Sequence, residues 1–417
     1  VTTPETGLAL LPFRATRYAG SDHLGDRLSP PYDVISEADR EDLVGASDTS
    51  AVRLILPAEA EGELADGDAY AGARALMDGW VHDGVLAVDA EPALYVYEMT
   101  AGDAVTRGLL GAVELHDPED GVILPHENTM AGPVADRLAL MEATEANLEP
   151  IYLVYDGGGA ASELVASVGD QVPLAEAQTP DGTIHRLWAV TDPKAHAAVA
   201  DDLAARRAVI ADGHHRYATY RKLQAEHDGE PGPWDLGLTL LVDTTAYGPQ
   251  VHPIHRVVAI GFDAAVEAVR AHAKVGEPVQ VGEAARQVAE AGGFAVALAQ
   301  GDRAVVVCDL DRELVSDTLG DVADSALGRL DVTVVHRVLV ERLWGLADTE
   351  ESVGYAHDVQ DALEAAGSDR TAVLLRPTPV EDLGEVARAG ERMPRKSTLF
   401  TPKPASGMVI RRFADQG

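Results

Sequence analysis

Short apolar runs alternate with segments of helical composition along the whole chain. That alternation restricts the fold more than any other feature, because a run of roughly four to eight apolar residues bounded by turn residues reads as a buried strand. Residues 93–99 and 108–115 read as two strands joined by the polar turn Ala101-Gly102-Asp103. Residues 151–155 form a strand that ends at Asp156-Gly157-Gly158-Gly159. Asp192-Pro193 opens a helix to about Ala205, with proline suited to the first helical position. A short strand at 208–211 runs into a helix over 214–226, and strands follow at 238–242 and 251–258. Earlier, Ser36-x-x-Asp39 has the form of a capping box, and 68–81 predicts a helix with Tyr70, Ala73, Met77 and Trp80 on its apolar face. Beyond 260 the pattern gives a helix over 263–274, a hairpin of 294–299 with 304–309 around Gln300-Gly301-Asp302, and a helix over 331–346. A strand at 371–375 and a helix opened by Thr378-Pro379 come next, and 392–413 is basic and strand-like. The expected fold is mixed α/β (α+β), in units 1–260, 261–390 and 391–417. No internal repeat or long linker interrupts it.

Of the 417 residues, 46% are hydrophobic and 24% charged, enough for a real core. The charge is unbalanced: 33 Lys and Arg against 69 Asp and Glu give −36. Such a surface repels nucleic-acid phosphates and anionic lipid heads, so neither is an expected partner. A single cysteine, Cys308, excludes an intramolecular disulfide and a cysteine-based zinc or iron–sulfur site. Its apolar run, Ala304-Val305-Val306-Val307-Cys308, predicts a buried thiol outside any redox chemistry. No run reaches the roughly 20 apolar residues of a membrane span, and no secretory signal is recognisable. A cytoplasmic location is therefore expected.

The few cations are clustered. Val209-Ile210-Ala211-Asp212-Gly213-His214-His215-Arg216-Tyr217 takes a strand straight into a helix start, where free N–H groups and the dipole favour an anion. Gly213 admits an anion to the backbone, His214, His215 and Arg216 add donors, and Asp212 can cap the helix. A structural cap and a His-carboxylate metal site are the alternatives; adjacent histidines diverge by about 100° on a helix, which disfavours the metal. Two of the five lysines lie in Arg392-Met393-Pro394-Arg395-Lys396-Ser397-Thr398 and its continuation to Lys403. Arg395, Lys396, Ser397, Thr398 and Lys403 suit a phosphoryl group, or else form a solvated basic turn. In Leu124-Pro125-His126-Glu127-Asn128-Thr129, His126 and Glu127 are candidate acid–base or Mg²⁺-binding groups, or else part of an ordinary polar loop. Arg137, at a helix start, serves either a phosphate or an inward ion pair. Asp33 sits in the stiff frame Ser29-Pro30-Pro31-Tyr32-Asp33, a preorganised carboxylate or a plain turn. His252-Pro253-Ile254-His255-Arg256 is one more cationic loop, read slightly in favour of structure.

Together these strings resemble, over essentially the whole chain, the bacterial and archaeal domain-of-unknown-function family 1015. The stretches that carry the resemblance include 30–35, 52–54, 126–129 with 136–138, Asp181-Gly182-x-x-His185-Arg186-Leu187-Trp188, 212–217, 255–256 and 393–403. Locally, Gly213-His214-His215-Arg216-Tyr217 is similar to the phosphate-binding turn of the ParB/sulfiredoxin-like superfamily. That superfamily includes free-serine kinases, CTP-binding partition proteins and sulfinic acid reductases. The resemblance implies a ParB/sulfiredoxin-like core with a C-terminal α/β extension. His214 stands where sulfiredoxin has its cysteine, which argues against sulfinic reduction, and the charge argues against DNA partition. What remains is a small-molecule phosphotransferase, with L-serine as the first acceptor to try and ATP, ADP or pyrophosphate as donor. Asp33 or Glu127 would orient the acceptor or hold Mg²⁺, and Arg395, Lys396 and Lys403 would screen the transferring group. No transition metal, flavin or nicotinamide is expected. A nucleotide-binding regulatory protein and a phosphate-ester hydrolase are the alternatives. The phosphotransferase reading expects Asp33, Glu127, His214–Arg216 and Lys396–Lys403 to share one cleft.

Overall fold

The computed structural model describes residues 7–57, 69–349 and 351–416. The chain packs as two units. The first contains the residues up to Pro125, Thr129–Gln250 and those from Pro402 onward; the second contains His126–Asn128 and Val251–Thr401. The passage expected near 260 thus falls between Gln250 and Val251, and the segment 391–417 divides between Thr401 and Pro402.

The first unit is built on a mixed nine-stranded sheet. Its strands in chain order are β1 (Leu10–Leu11), β2 (Leu94–Ala101), β3 (Ala104–Glu114), β4 (Ile123–Leu124), β5 (Ile151–Tyr155), β6 (Ala175–Gln178), β7 (Ile184–Val190), β8 (Ala208–Asp212) and β9 (Leu236–Asp243). They lie in the order β4-β8-β5-β9-β3-β2-β7-β6, with β1 paired to β3. β5 runs parallel to β9, β8 runs parallel to β4, and the other pairs are antiparallel. The sequence of β5, Ile-Tyr-Leu-Val-Tyr, is buried at every position, as a central strand covered on both faces requires. Helices α1 (Ala131–Thr144) and α2 (His214–Glu226) add Leu138, Met141, Tyr217, Tyr220 and Leu223 to the same core as Ile151, Leu153 and Ile210.

One detail of register positions the site. β8 and β5 pair antiparallel, Val209 with Val154 and Ile210 with Leu153, and a bulge brings Asp212 opposite Tyr152. The end of β8 therefore lies beside the start of β5. The helix that follows comes next to Glu149 and Pro150, whose carbonyls accept from Tyr220 and Arg216, although about seventy positions separate them in the chain.

The second unit carries a seven-stranded sheet of β10 (His255–Val258), β11 (Lys274–Val275), β12 (Val279–Gln280), β13 (Ala295–Gln300), β14 (Arg303–Cys308), β15 (Val353–Ala356) and β16 (Thr371–Leu374). Every pairing in it is antiparallel. Ala295, Ala297, Ala299, Ala304, Ala362, Ala366 and Ala372 dominate its core, so the covering helices approach the sheet closely. The predicted helix over 331–346 is α-helical for Asp331–Val334 and continues as a π-helix, Val335–Leu343. Cys308 departs from expectation: it ends β14 and is only partly buried, with Sγ 3.8 Å from Asp309 Oδ2. Burial and the Asp309 carboxylate both push its thiol upward, which keeps it protonated and unreactive at neutral pH. No helix among the described residues is long and apolar enough to cross a membrane.

Candidate functional site

In the first unit the chemistry gathers at the head of α2. Gly213 precedes the helix at φ 90°, ψ 30°, a left-handed conformation that glycine adopts without strain. A Cβ there would also stand 3.1 Å from Arg216 Nε. Just before it, Asp212 holds two cations, one on each carboxylate oxygen. Lys403 Nζ donates to Oδ1 at 2.5 Å, and Arg216 Nη2 donates to Oδ2 at 2.5 Å. Lys403 also reaches Asp33 Oδ2 at 3.5 Å. Three segments distant in sequence, 30–33, 212–216 and 402–406, thus meet at one lysine.

The electrostatics keep Asp212 and Lys403 ionised. Burial raises the Asp212 carboxyl, but Lys403 and Arg216 outweigh it and hold it below the usual range. Burial likewise opposes charge on Lys403, and the Asp212 and Asp33 carboxylates more than restore it. Asp33 retains 36% side-chain exposure, against 14% for Lys403 and 12% for Asp212, so it is the member of the cluster open to solvent. Burial lowers the His215 imidazole, and its Nε2 accepts the Met130 N–H at 3.0 Å, which puts the ring proton on Nδ1. His214 is buried at the first position of the helix.

Two arginines expected to face a phosphate point inward instead. Arg216 is 3% exposed; beyond Asp212 it donates through Nη1 to the Pro150 carbonyl. A guanidinium taken out of water must be matched by nearby acceptors, and the i, i+4 carboxylate supplies the charged one. Its Nε has no hydrogen-bond partner. Arg216 also lines, with Arg137, Glu149 and Tyr220, a cavity of about 30 Å³, roomy enough for a water molecule. Arg137 donates to the Ile55 carbonyl, pairs with Asp136 at 2.6 Å and lies 4.4 Å above the Tyr32 ring. That is the inward ion pair left open by the sequence. Asp212 does not cap the helix, since its carboxylate is occupied by the two cations.

The other candidates belong to the second unit. The chain bends at Arg395 and Lys396, with Lys396 at φ 51°, and Ser397 leads this turn into a strand that begins at Thr398. The turn is fastened from inside by Arg256, which is fully buried. Arg256 donates to the carbonyls of Ile254 (2.6 Å), Lys396 (2.9 Å) and Arg395 (3.2 Å), and its Nε donates to His336 Nε2 at 2.9 Å. His336 must then carry its proton on Nδ1, 3.1 Å from Asp348 Oδ2. The Ser397 hydroxyl is spent within the turn on the Pro394 carbonyl, and the Ser397 amide donates to Glu127 Oε1 at 3.3 Å. His126, expected as an acid–base group, has no solvent exposure; its Nε2 lies 3.3 Å from Thr398 Oγ1. The Arg256–His336–Asp348 chain was invisible in sequence, because Arg256 and His336 are eighty positions apart. Glu149 was missed for the same reason. Among the described residues no three His, Cys, Asp or Glu side chains are grouped as a metal cage.

Comparison with solved structures finds a free serine kinase in complex with AMP, at 16% identity and TM-score 0.36, covering 71% of this chain and 90% of that one. SbnI with C-terminal truncation from Staphylococcus aureus aligns at 12% identity and TM-score 0.37, covering 72% and 86%. A conserved hypothetical protein from Pyrococcus furiosus aligns at 16% and 0.35, covering 71% and 94%. No curated protein matches the sequence. The family described as "Protein of unknown function (DUF1015)" matches residues 10–333, and the chain belongs to that family.

Proposed function

We propose that the first unit binds the phosphates of a nucleotide or pyrophosphate at the head of α2 and passes a phosphoryl group to a small hydroxylated acceptor, with L-serine the first to try. The observation that carries this reading is the meeting of Asp33, Asp212 and Lys403 beside a glycine-led helix start. Phosphoryl transfer asks a protein chiefly for positioning and charge neutralisation. Lys403 supplies a cation held in place by Asp212. The helix start offers backbone N–H groups. Asp33, solvent-facing and beside the lysine, accepts the acceptor's proton or orients its hydroxyl. Arg216 serves by fixing Asp212. A Mg²⁺ ion fits as a companion of the donor, since it commonly binds through one or two carboxylates plus phosphate oxygens. Asp33 is the one exposed carboxylate of the cluster for that purpose, and a bound ion would offset donor charge.

The test is a product assay by phosphorus NMR, with Mg²⁺, each of ATP, ADP and pyrophosphate, and L-serine among a panel of alcohols. Acceptor-dependent phosphate ester is expected. Lys403→Ala should lower kcat/KM by about 10- to 150-fold, the value of one charge-assisted hydrogen bond of ~1.5–3 kcal/mol. Asp33→Asn should lower kcat more than KM. Phosphate release that ignores the acceptor would make the protein a hydrolase. Saturable thermal stabilisation by nucleotide without turnover would make it a regulatory binder.

A further inference from the structure

Asp33 and Lys403 sit on separate loops, and something must hold those loops in register. The carboxylate of Glu149 touches both. Its Oε1 accepts the Tyr32 backbone N–H at 3.0 Å and the Ser406 hydroxyl at 3.0 Å. Tyr32 is the neighbour of Asp33, and Ser406 lies three residues after Lys403. The two segments are further zipped by Ser406 N to Ser29 O (2.8 Å) and Ser29 N to Ser406 O (3.2 Å). Glu149 is itself anchored. Its carbonyl accepts the Tyr220 hydroxyl at 2.7 Å, and the next carbonyl, of Pro150, accepts Arg216 Nη1. The backbone at 149–150 is therefore tied to α2, while the side chain is tied to both loops that carry the Asp33–Lys403 pair. Glu149 is 5% exposed and Ser406 is 1% exposed, so water does not compete well for these bonds.

We propose that Glu149 is the positioning residue of the site: one carboxylate oxygen pins the Asp33 loop and the Lys403 segment at a single point and so sets the spacing of the Asp33–Lys403 pair. The proposal rests on the reading of that pair as the working groups. Burial raises the Glu149 carboxyl, opposed by Arg216 and Arg137, both of which line the same cavity. What the pin requires is the acceptor oxygen at Oε1, which glutamine retains and alanine lacks.

The test does not depend on activity. The chain has five lysines, and Lys194 and Lys274 are exposed, so they serve as internal references for acetylation read by mass spectrometry. In wild type, Lys403 should label far more slowly than either. In Glu149→Ala, circular dichroism should show a folded protein, and Lys403 labelling should accelerate by about tenfold against the references as the segment opens locally. Glu149→Gln should stay within about twofold of wild type, because the acceptor remains. Should Glu149→Ala fail to fold, Ser406→Ala removes one arm alone; exchange at the amides of Lys403, Ala405, Ser29, Tyr32 and Asp33 should then rise several-fold. Unchanged Lys403 protection in folded Glu149→Ala, or unchanged exchange in Ser406→Ala, overturns the proposal. So does a Glu149→Gln protein as open as the alanine variant. If wild type transfers no phosphoryl group yet the labelling follows this pattern, the functional reading fails and the pin stands.

Discussion

At His185 the proton can be placed from hydrogen bonds alone. Thr179 Oγ1 gives its one proton to the Asp181 carboxylate and so accepts from His185 Nε2; the bare Nδ1 accepts the Tyr97 hydroxyl 2.7 Å away, whose oxygen takes the Ala405 amide at 3.1 Å. The imidazole proton therefore sits on Nε2, 3.1 Å from Thr179 Oγ1, which lies 2.6 Å from Asp181 Oδ1. Burial drives this ring down to about 4, against a smaller upward pull from Asp181. A histidine depressed on folding stabilises the native state above its unfolded pKa of about 6.5, and that stability is lost as pH falls toward the folded value. Between pH 7 and 5 the loss should be about 1–2 kcal/mol. Urea unfolding of wild type and His185→Gln at both pH values measures it. The variant's pH dependence should be shallower by that amount, and parallel dependences would refute the assignment. Comparing the two proteins cancels the opposing gain from protonating surface acids. Sequence marked His185 only as part of a string, because its partner Tyr97, and Ala405 that bonds Tyr97 in turn, come from other segments. The same holds at Arg216, whose type and position suit a phosphate equally well. Only the nearness of Pro150 and Asp212 decides that its donors turn inward.

Helices and strands were legible where local chemistry agreed with packing. α2 appears over the predicted residues because a left-handed glycine fixes its start. The capping box at Ser36 and Asp39 forms with both reciprocal bonds, and Asp192 caps the proline-led helix Pro193–Leu203. The predicted helix over 68–81 is seen as Ala69–His82, with Asp68 outside the described residues; Ala73, Met77 and Trp80 are buried as expected. Other elements escaped. Helix Gly159–Ser167 opens in a glycine run that reads as a turn. The strand expected over 251–258 parts at Ile254, and its carbonyl takes one of the bonds from Arg256. The basic stretch over 392–413 is mostly irregular, with strands only at Thr398–Thr401 and Arg411–Arg412. Arg256 explains why the turn at Arg395 and Lys396 holds its shape. Replacing it with methionine keeps the volume and orphans the carbonyls of Ile254, Arg395 and Lys396. The bonds to Ile254 and His336 are the buried ones; each buried unsatisfied group costs about 1–3 kcal/mol, so the second unit should lose about 2 kcal/mol or more. Hydrogen exchange should rise first at 394–398. If those amides exchange as in wild type, Arg256 does not fasten the turn.

Across the whole molecule, neighbours in sequence are a poor guide to membership. Lys396 and Lys403 share one basic segment, yet the first belongs to the second unit and the second to the first. His126–Asn128 belongs to a different unit from the residues flanking it. No shift in composition marks these crossings, since both units draw on the same acidic, alanine-rich alphabet. That shared acidity has its own consequence. With −36 net charge the native state repels itself, and unfolding relieves the repulsion by moving charges apart. Attractive surface pairs such as Arg286 with Glu283 and Glu290 exist, but exposed pairs contribute about 0–1 kcal/mol each. With about two acids for every base, the carboxylates outnumber the cations available to pair with them. Salt shortens the screening length from about 30 Å at 0.01 M to about 8 Å at 0.15 M, which weakens the summed repulsion over the surface more than it weakens contact pairs. The melting temperature should therefore rise as KCl goes from about 0.01 to 0.15 M, by roughly 2–4 °C for each kcal/mol gained. The gain should flatten beyond that range, and NaCl should reproduce it at equal ionic strength. Scanning calorimetry in both salts makes the measurement. A melting temperature that falls with salt would mean that paired charges govern the stability of this acidic chain, and a rise seen with only one cation would point to bound ions in place of screening.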